Sequence, residues 1–365
     1  MRDKGQGKQG KKRQGRRHLL ITAGCIALFI GLISGSFGIV SAVGKSRLRH
    51  NIESTQPLLQ ASPVAETPSE EEAYTWQENW VKYQGRIYEY NEDIMTFLVM
   101  GIDKDGDVSE VAAGTDGGQA DALFLVVMDP HDKSIKIIGI NRNTMTDIDL
   151  YDEKGEYITT TKAQIAVQHG FGDGMKKSCE YQRRAVAALF YNLPIHGYAA
   201  VNMNAIATIN DAVGGIKVTV LEDMTKIDPD FVKDNQIHLM GDKAFWYVKY
   251  RDTDIFGSAD MRLERQKQYV SGLIGAARRA VKKDVSVVLD LYQAVTPQMV
   301  TDISLDKALY LASIVSDYSF DSDSFYTLAG ETVMGEQFEE FYLDEDALYE
   351  LIIDIFYKEI EDAGK

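Results

Sequence analysis

Three short apolar runs, each ending on polar residues, restrict this chain to a fold centred on a sheet. "IMTFLVMGID" (94–103), "DALFLVVM" (121–128) and "SIKIIGI" (134–140) are too short for stable isolated helices. The turn "DPHDK" joins the second run to the third as a hairpin. Sequential strands tend to be neighbours, so antiparallel pairing of the first run with the second sets the exit of one beside the entrance of the other. Asp103, Asp121 and Arg142 then emerge at one sheet edge, provided no other strand intervenes.

The rest of the chain alternates strands with helices. "WVKYQGRIYEYN" (80–91) reads as a hairpin around Gly85, and glycine-rich 104–120 as a loop. Helices are expected over 178–191, 203–213 (ended by Gly214-Gly215), 241–251 and 261–282, with strands at "HGYAAVN" and "IKVTV". Segments from 283 onward should pack as peripheral helices with a strand or two. This alternation implies a layered α/β domain.

Residues 1–17 carry eight Lys/Arg and one Asp, and no charge occurs from Leu19 to Val43. That uncharged length suits a membrane span with its basic flank in the cytoplasm, and it exceeds the usual apolar core of a cleaved signal peptide. The expected organisation is a basic cytoplasmic tail (1–17), a transmembrane anchor (18–43), a polar, acidic stalk (44–79) and an extracellular domain (80–365). Within the last, the core is 82–275 and a helical and strand extension follows over 276–365. The net charge of −16 includes +7 from the first 17 residues, which leaves −23 for the remainder. So acidic an exterior is a poor nucleic-acid binder. The two cysteines, Cys25 in the apolar run and Cys179, cannot form a disulfide across a membrane, so the domain must rest on its core.

Two carboxylates and an arginine at one sheet edge suit a divalent cation and a phosphate, because hard oxygens bind Mg²⁺ and a guanidinium clamps phosphoryl oxygens. Aspartates also end strands routinely as solvated turn residues. A second cluster lies in "YVKYRDTDIFGSADMRLERQKQY", where Lys249 and Arg251 precede Arg262 and Arg265, three apart on one helix. Four cations around one loop of an acidic chain read as an anion site, or as a salt-bridged face using Asp252, Asp254, Asp260 and Glu264.

Over roughly 82–275 the sequence resembles the LytR-CpsA-Psr family of cell-wall enzymes. The resemblance rests on "LVMGID", "QADALFLVVMDPHDKSIKIIGINRNT", "TKAQIA", "INDAVGGIKVTV", "GDKAFWYVKYR" and "RLERQ" in order. It implies one N-terminal transmembrane helix at the cell membrane, N-terminus cytoplasmic, before an extracellular three-layer α/β/α domain with a central mixed sheet. It also implies transfer of glycopolymers such as teichoic acid or capsule from a polyprenyl-pyrophosphate carrier to peptidoglycan, with Mg²⁺, or Mn²⁺ in its place. Asp103 and Asp121 match the family's metal-associated aspartates, and with Arg142 they are the candidate catalytic residues. Arg142, Lys249, Arg251, Arg262, Arg265 and Gln119 are the candidate pyrophosphate ligands. A lipid pocket is expected between sheet and helices, lined by 185–190 and by Val201–Ile209.

The chain departs from the family pattern at Gln119 and Lys249, where arginines are common, and at Asn143, where an aspartate is usual. Lys keeps the charge without the planar fork, and Gln loses the charge. Asp254 and Asp260 compete for one further acidic position. These departures keep open a non-catalytic protein that binds carrier-linked glycan. In the enzyme reading, arginines and metal neutralise the charge on the departing polyprenyl diphosphate, and Asp121 or Asp103 orients or deprotonates the acceptor hydroxyl. A water acceptor would make it a pyrophosphatase.

Overall fold

The computed structural model describes residues 57–59, 62, 64–68, 76–114, 117–315 and 317–360. The expected tail, the expected anchor and the first residues of the stalk lie outside the described residues. Among those described, no helix is long and apolar enough to cross a membrane.

The chain opens with the hairpin β1 (Trp80–Tyr83) and β2 (Arg86–Tyr90). Its two-residue turn puts Gln84 (φ 50°) and Gly85 (φ 72°) in the left-handed region, which matches the twist of the flanking strands. The three apolar runs become β3 (Met95–Ile102), β4 (Ala120–Asp129) and β5 (Ser134–Ile140), paired antiparallel in sequence order. A second hairpin, β6 (Met145–Tyr151) and β7 (Tyr157–Gln164), leads through a 3-10 turn at Ile165–Phe171 into α1 (Lys176–Leu189). Then follow β8 (Gly197–Asn202), α2 (Ala205–Ala212), β9 (Ile216–Thr219), β10 (Gln236–Leu239), α3 (Asp242–Lys249) and α4 (Ser258–Lys283). The C-terminal third holds α5 (Val287–Val295), β11 (Met299–Thr301), α6 (Leu305–Val315) and β12 (Phe325–Thr327). It ends with β13 (Gly330–Met334), β14 (Glu339–Leu343), α7 (Glu345–Phe356) and β15 (Tyr357–Glu359).

The central sheet is mixed, in the order β11-β8-β3-β4-β5-β12, with β8 and β12 parallel to their inner neighbours. Alternation along the strands divides the core into two layers. Leu98, Met100, Leu123, Leu125 and Ile138 pack toward α1 and α7, while Phe97, Phe124, Met128, Ile135 and Ile137 pack toward α4 and α6. An apolar run buried on both faces needs no polar alternation, which is why these strands read as continuous hydrophobic segments.

"IKVTV" forms the expected strand, β9, which pairs antiparallel with β10 in a separate two-stranded sheet. Two expectations change. The segment from 283 onward is not peripheral: β11 and β12 supply both edges of the central sheet. The end of the stalk docks on the domain. Leu59 is fully buried, Leu58 N–H donates to Tyr191 O at 2.6 Å, and Glu66 bridges to Lys82. Burying Leu59 stabilises that contact by about 2 kcal/mol.

Candidate functional site

The antiparallel order of β3, β4 and β5 brings Asp103, Asp121 and Arg142 to one edge. Asp121 is the centre. Arg142 Nη1 lies 2.6 Å from its Oδ1, and Arg262 Nη1, reaching over from the start of α4, donates to its Oδ2 at 3.0 Å. All three side chains are mostly buried. Gln119 ties this pair to Asp103: its Oε1 accepts from Arg142 Nη2, and its backbone N–H donates to Asp103 Oδ1 at 2.5 Å. Where an arginine would add charge, Gln119 is a neutral link between the cation and the neighbouring carboxylate.

Crowding at this edge shifts two groups. Desolvation pushes the Asp103 carboxyl above the usual carboxylate range, and the charge of Asp121 adds to it, against the Gln119 N–H. Burial lowers Arg262 to about 10, with Asp121 opposing and the charges of Arg142 and Arg251 reinforcing the fall. Three guanidiniums therefore share one region.

Arg251 follows α3 and is held by a residue that charge patterning did not reveal. Its Nη2 donates to Glu339 Oε2 at 2.6 Å and its Nε to Ser258 Oγ at 2.9 Å. Glu339 opens β14, is nearly buried, and also accepts from Gly257 N at 2.8 Å and Asn143 Nδ2 at 3.5 Å. Asn143, where an aspartate was the usual residue, thus faces a carboxylate that a second carboxylate would repel. Asp121 and Glu339 offset two of the three guanidinium charges, and Asp103 beside them offsets the third when it is ionised.

Arg265 does not join the cluster. Its side chain is buried, donating to the carbonyls of Tyr247 and Tyr250 and facing Glu222 Oε1 from Nε at 2.7 Å. It locks the end of α3, because one turn further along α4 the same helix face meets α3 rather than the sheet. Lys249 sits 4.7 Å above the Phe245 ring and 4.0 Å from Asp105. Asp260 is pinned by Asn141 Nδ2 at 2.6 Å and Thr332 Oγ1 at 2.8 Å, whereas Asp254 is exposed on the rim of a cleft.

Two spaces adjoin the cluster. An apolar cavity of about 270 Å³ lies between the sheet and α4, lined by Phe124, Ile206, Ile209, Val270 and Ile274 among others. The expected lining by Val201–Ile209 is found there; residues 185–190 are not, because α1 covers the opposite face of the sheet. The cavity wall includes Gly101, Ala122, Lys249 and Gln266, and one or two residues or one helical turn along these elements stand Asp103, Asp121, Arg251 and Arg262. On the other side, a cleft of about 580 Å³ is lined by Arg142, Arg251, Phe256 and Phe338, with Gln119 at its edge.

Among the described residues no group of three or more His, Cys, Asp or Glu is arranged to hold a metal. Asp103 and Asp121 nevertheless suit Mg²⁺, which usually takes one or two carboxylates and completes its shell with water and substrate phosphate. Asp121 Oδ1 is buried against Arg142 Nη1 at 2.6 Å, so a cation there would share this carboxylate with the guanidinium.

Sequence comparison places curated proteins beside this chain. The TagU of Bacillus cereus (strain AH820), a polyisoprenyl-teichoic acid–peptidoglycan teichoic acid transferase, is 32% identical over 180 residues, 49% of this chain and 52% of the relative. The corresponding TagV of Bacillus subtilis is 24% identical over 270 residues, 72% of this chain and 64% of the relative. The matched regions thus span from about half to under two thirds of those relatives. Solved structures share the fold. The crystal structure of Bacillus subtilis TagV superposes with a TM-score of 0.54 at 22% identity, over 72% of this chain and 97% of that one. TagT bound to LI-WTA superposes with a TM-score of 0.54 at 19% identity, over 72% of this chain and 90% of that one. Residues 60–352 match the LytR_cpsA_psr family throughout, and with the ordered motifs and the strand-edge aspartates and arginines in place, this chain belongs to that family.

Proposed function

We propose that the protein is a membrane-anchored transferase that moves a glycopolymer from a polyprenyl-pyrophosphate carrier to peptidoglycan outside the cell. The observation that carries this reading is the junction of the apolar cavity with the arginine cluster: a long isoprenoid and a diphosphate need such surfaces side by side. Residues 18–43 would hold the domain at the membrane where the carrier resides.

Arg142, Arg251 and Arg262 would bind the diphosphate oxygens, with Lys249 as a point charge at the mouth of the cavity. Asp103 is the better general base, since its carboxyl is raised and no arginine grips it, while Asp121 is held by two guanidiniums. The acceptor hydroxyl attacks the sugar-bearing phosphorus, its proton passes to Asp103, and the P–O–P bridge breaks. The leaving group is then polyprenyl monophosphate, not the diphosphate. A divalent cation coordinated by Asp121 beside Asp103 would supply charge neutralisation at the phosphates, leaving Asp103 free to take the proton. Water in place of the sugar acceptor would give pyrophosphatase activity.

Two measurements test the reading. Arg142→Ala should abolish binding of a prenyl diphosphate to the full chain, and unchanged binding would leave the cluster a salt-bridged face. Binding by the wild type with no Mg²⁺-dependent release or transfer, to water or to any wall acceptor, would make the protein a carrier-glycan binding protein instead.

A further inference from the structure

The N–H that donates to Asp103 Oδ1 belongs to Gln119, and the other end of that peptide unit is the Gly118 carbonyl. His169 meets this carbonyl from below the loop, with Nδ1 3.0 Å from Gly118 O. Resting on the reading above, we infer that His169 is a positioning residue for the base: it holds the Gly118–Gln119 peptide with its N–H turned toward Asp103. One rigid amide then links an imidazole in the core to the carboxylate at the sheet edge.

Both ends of the ring fix the direction of donation. A carbonyl oxygen only accepts, so Nδ1 carries the proton. Nε2 faces the Cys179 sulfur at 3.9 Å, and burial pushes that thiol up, so it stays protonated and is a weak donor to the ring. Burial also holds the imidazole below its ordinary range, against the opposing pull of Gly118, Gly117 and Asp173. The ring is therefore neutral, in the Nδ1–H tautomer. Its backbone is set as firmly. His169 N–H donates to Gln182 Oε1 at 3.1 Å, and Gln182 Nε2 donates to Ile165 O at 3.1 Å, which ties the 3-10 turn to α1.

The peptide needs such a catch because a glycine stands on one side of it. Gly118 has φ 78°, and glycine tolerates the rotation that would exchange carbonyl for N–H at this position. The flipped unit would aim the Gly118 oxygen at the Asp103 carboxylate and leave Nδ1–H without its acceptor on a side chain 1% exposed. More than one bond would be lost. The Gln119 carbonyl accepts from Asp103 N–H at 3.0 Å and from Asp121 N–H at 3.1 Å, and its side chain accepts from Arg142. Turning this residue therefore disturbs the base and its neighbours together. A donor on the Gly118 carbonyl also strengthens the N–H at the other end of the amide, because linked hydrogen bonds polarise one another.

The test uses the full chain, with His169→Asn, whose amide reaches the place of Nδ1, and His169→Gln, whose amide reaches that of Nε2. Nitrogen-15 spectra of the histidine-labelled wild type should show His169 protonated on Nδ1 alone. A proton on Nε2 alone overturns the inference without recourse to a variant. Exchange of the Gln119 amide should be at least about tenfold faster in His169→Gln and close to wild type in His169→Asn, with Leu123 and Leu125 in the sheet unchanged in both. Mg²⁺-dependent turnover of farnesyl diphosphate should lose at least about tenfold in kcat in His169→Gln with KM little changed, and His169→Asn should restore it. Exchange and kcat alike in the two variants, or a loss confined to KM, overturns the positioning role. A wild type without turnover overturns the enzyme reading instead, and the tautomer and exchange rates still decide whether His169 holds the peptide.

Discussion

Arg251 and Glu339 stand 88 residues apart in the chain, yet Nη2 of the one lies 2.6 Å from Oε2 of the other. This contact ties the β13–β14 hairpin to the loop between α3 and α4, and it aims one of the three guanidiniums of the cluster. Glu339→Ala should cost about 2 kcal/mol in urea unfolding, because Arg251 and Gly257 N–H lose their acceptor while Arg251 keeps some access to water. Glu339→Gln should recover much of the stability and still weaken diphosphate binding. Wild-type binding in Glu339→Gln would reduce Glu339 to a packing residue.

Arg262 and Arg265 differ by less than one helical turn but should give opposite phenotypes. Arg265→Ala strands the Tyr247 and Tyr250 carbonyls and the Glu222 carboxylate, so it should destabilise the fold by about 3 kcal/mol. Arg262→Ala should chiefly abolish prenyl diphosphate binding. Thermal unfolding and calorimetric binding of both variants check this, and a stable, non-binding Arg265→Ala would return Arg265 to the site.

The apolar cavity offers a test of chain length. Ala122→Phe places a ring into open space between β4 and α4. Long isoprenoid phosphates should lose about tenfold in affinity while a five-carbon prenyl phosphate binds as before, with no fall in Tm. An equal loss for both lengths would mean the substitution disturbs the arginines and not the cavity.

His196 gives a pH dependence away from the site. Burial depresses its imidazole from 6.5 to about 4, opposed by its bond to Thr96. Its Nδ1 accepts from Thr96 N–H at 3.0 Å, so the neutral ring is the native form. Because the folded pKa lies below the unfolded one, its contribution is complete above about pH 6.5 and is lost as pH falls toward 4. That loss is about 2–3 kcal/mol. In His196→Asn the unfolding free energy should fall less steeply over this window, and an unchanged slope would place the titration elsewhere.

The convergence of Asp103, Asp121 and Arg142 was legible because it needs only three adjacent strands and their order. The rest of the site depends on which neighbour a residue meets, and local spacing is silent on that. Arg265 shares a helix face with Arg262, but that face touches the sheet at one level and α3 at the next. Glu339 sits in "GEQFEEF", where nothing distinguishes it from Glu336 or Glu340 until Arg251 is brought against it. Residues 185–190 have the small apolar character expected of a pocket wall, but α1 lies across the sheet from the cavity. Composition says that a segment is apolar, not which side of the sheet it covers.

The burial of Leu59 sets a working radius. Were the proposed anchor to end at Val43, fifteen residues would separate it from Leu59, whose neighbour Leu58 is fixed against Tyr191. Fifteen residues at full extension reach on the order of 50 Å. On the proposed anchoring, a domain on so short a leash would meet only what lies within that distance of the membrane surface.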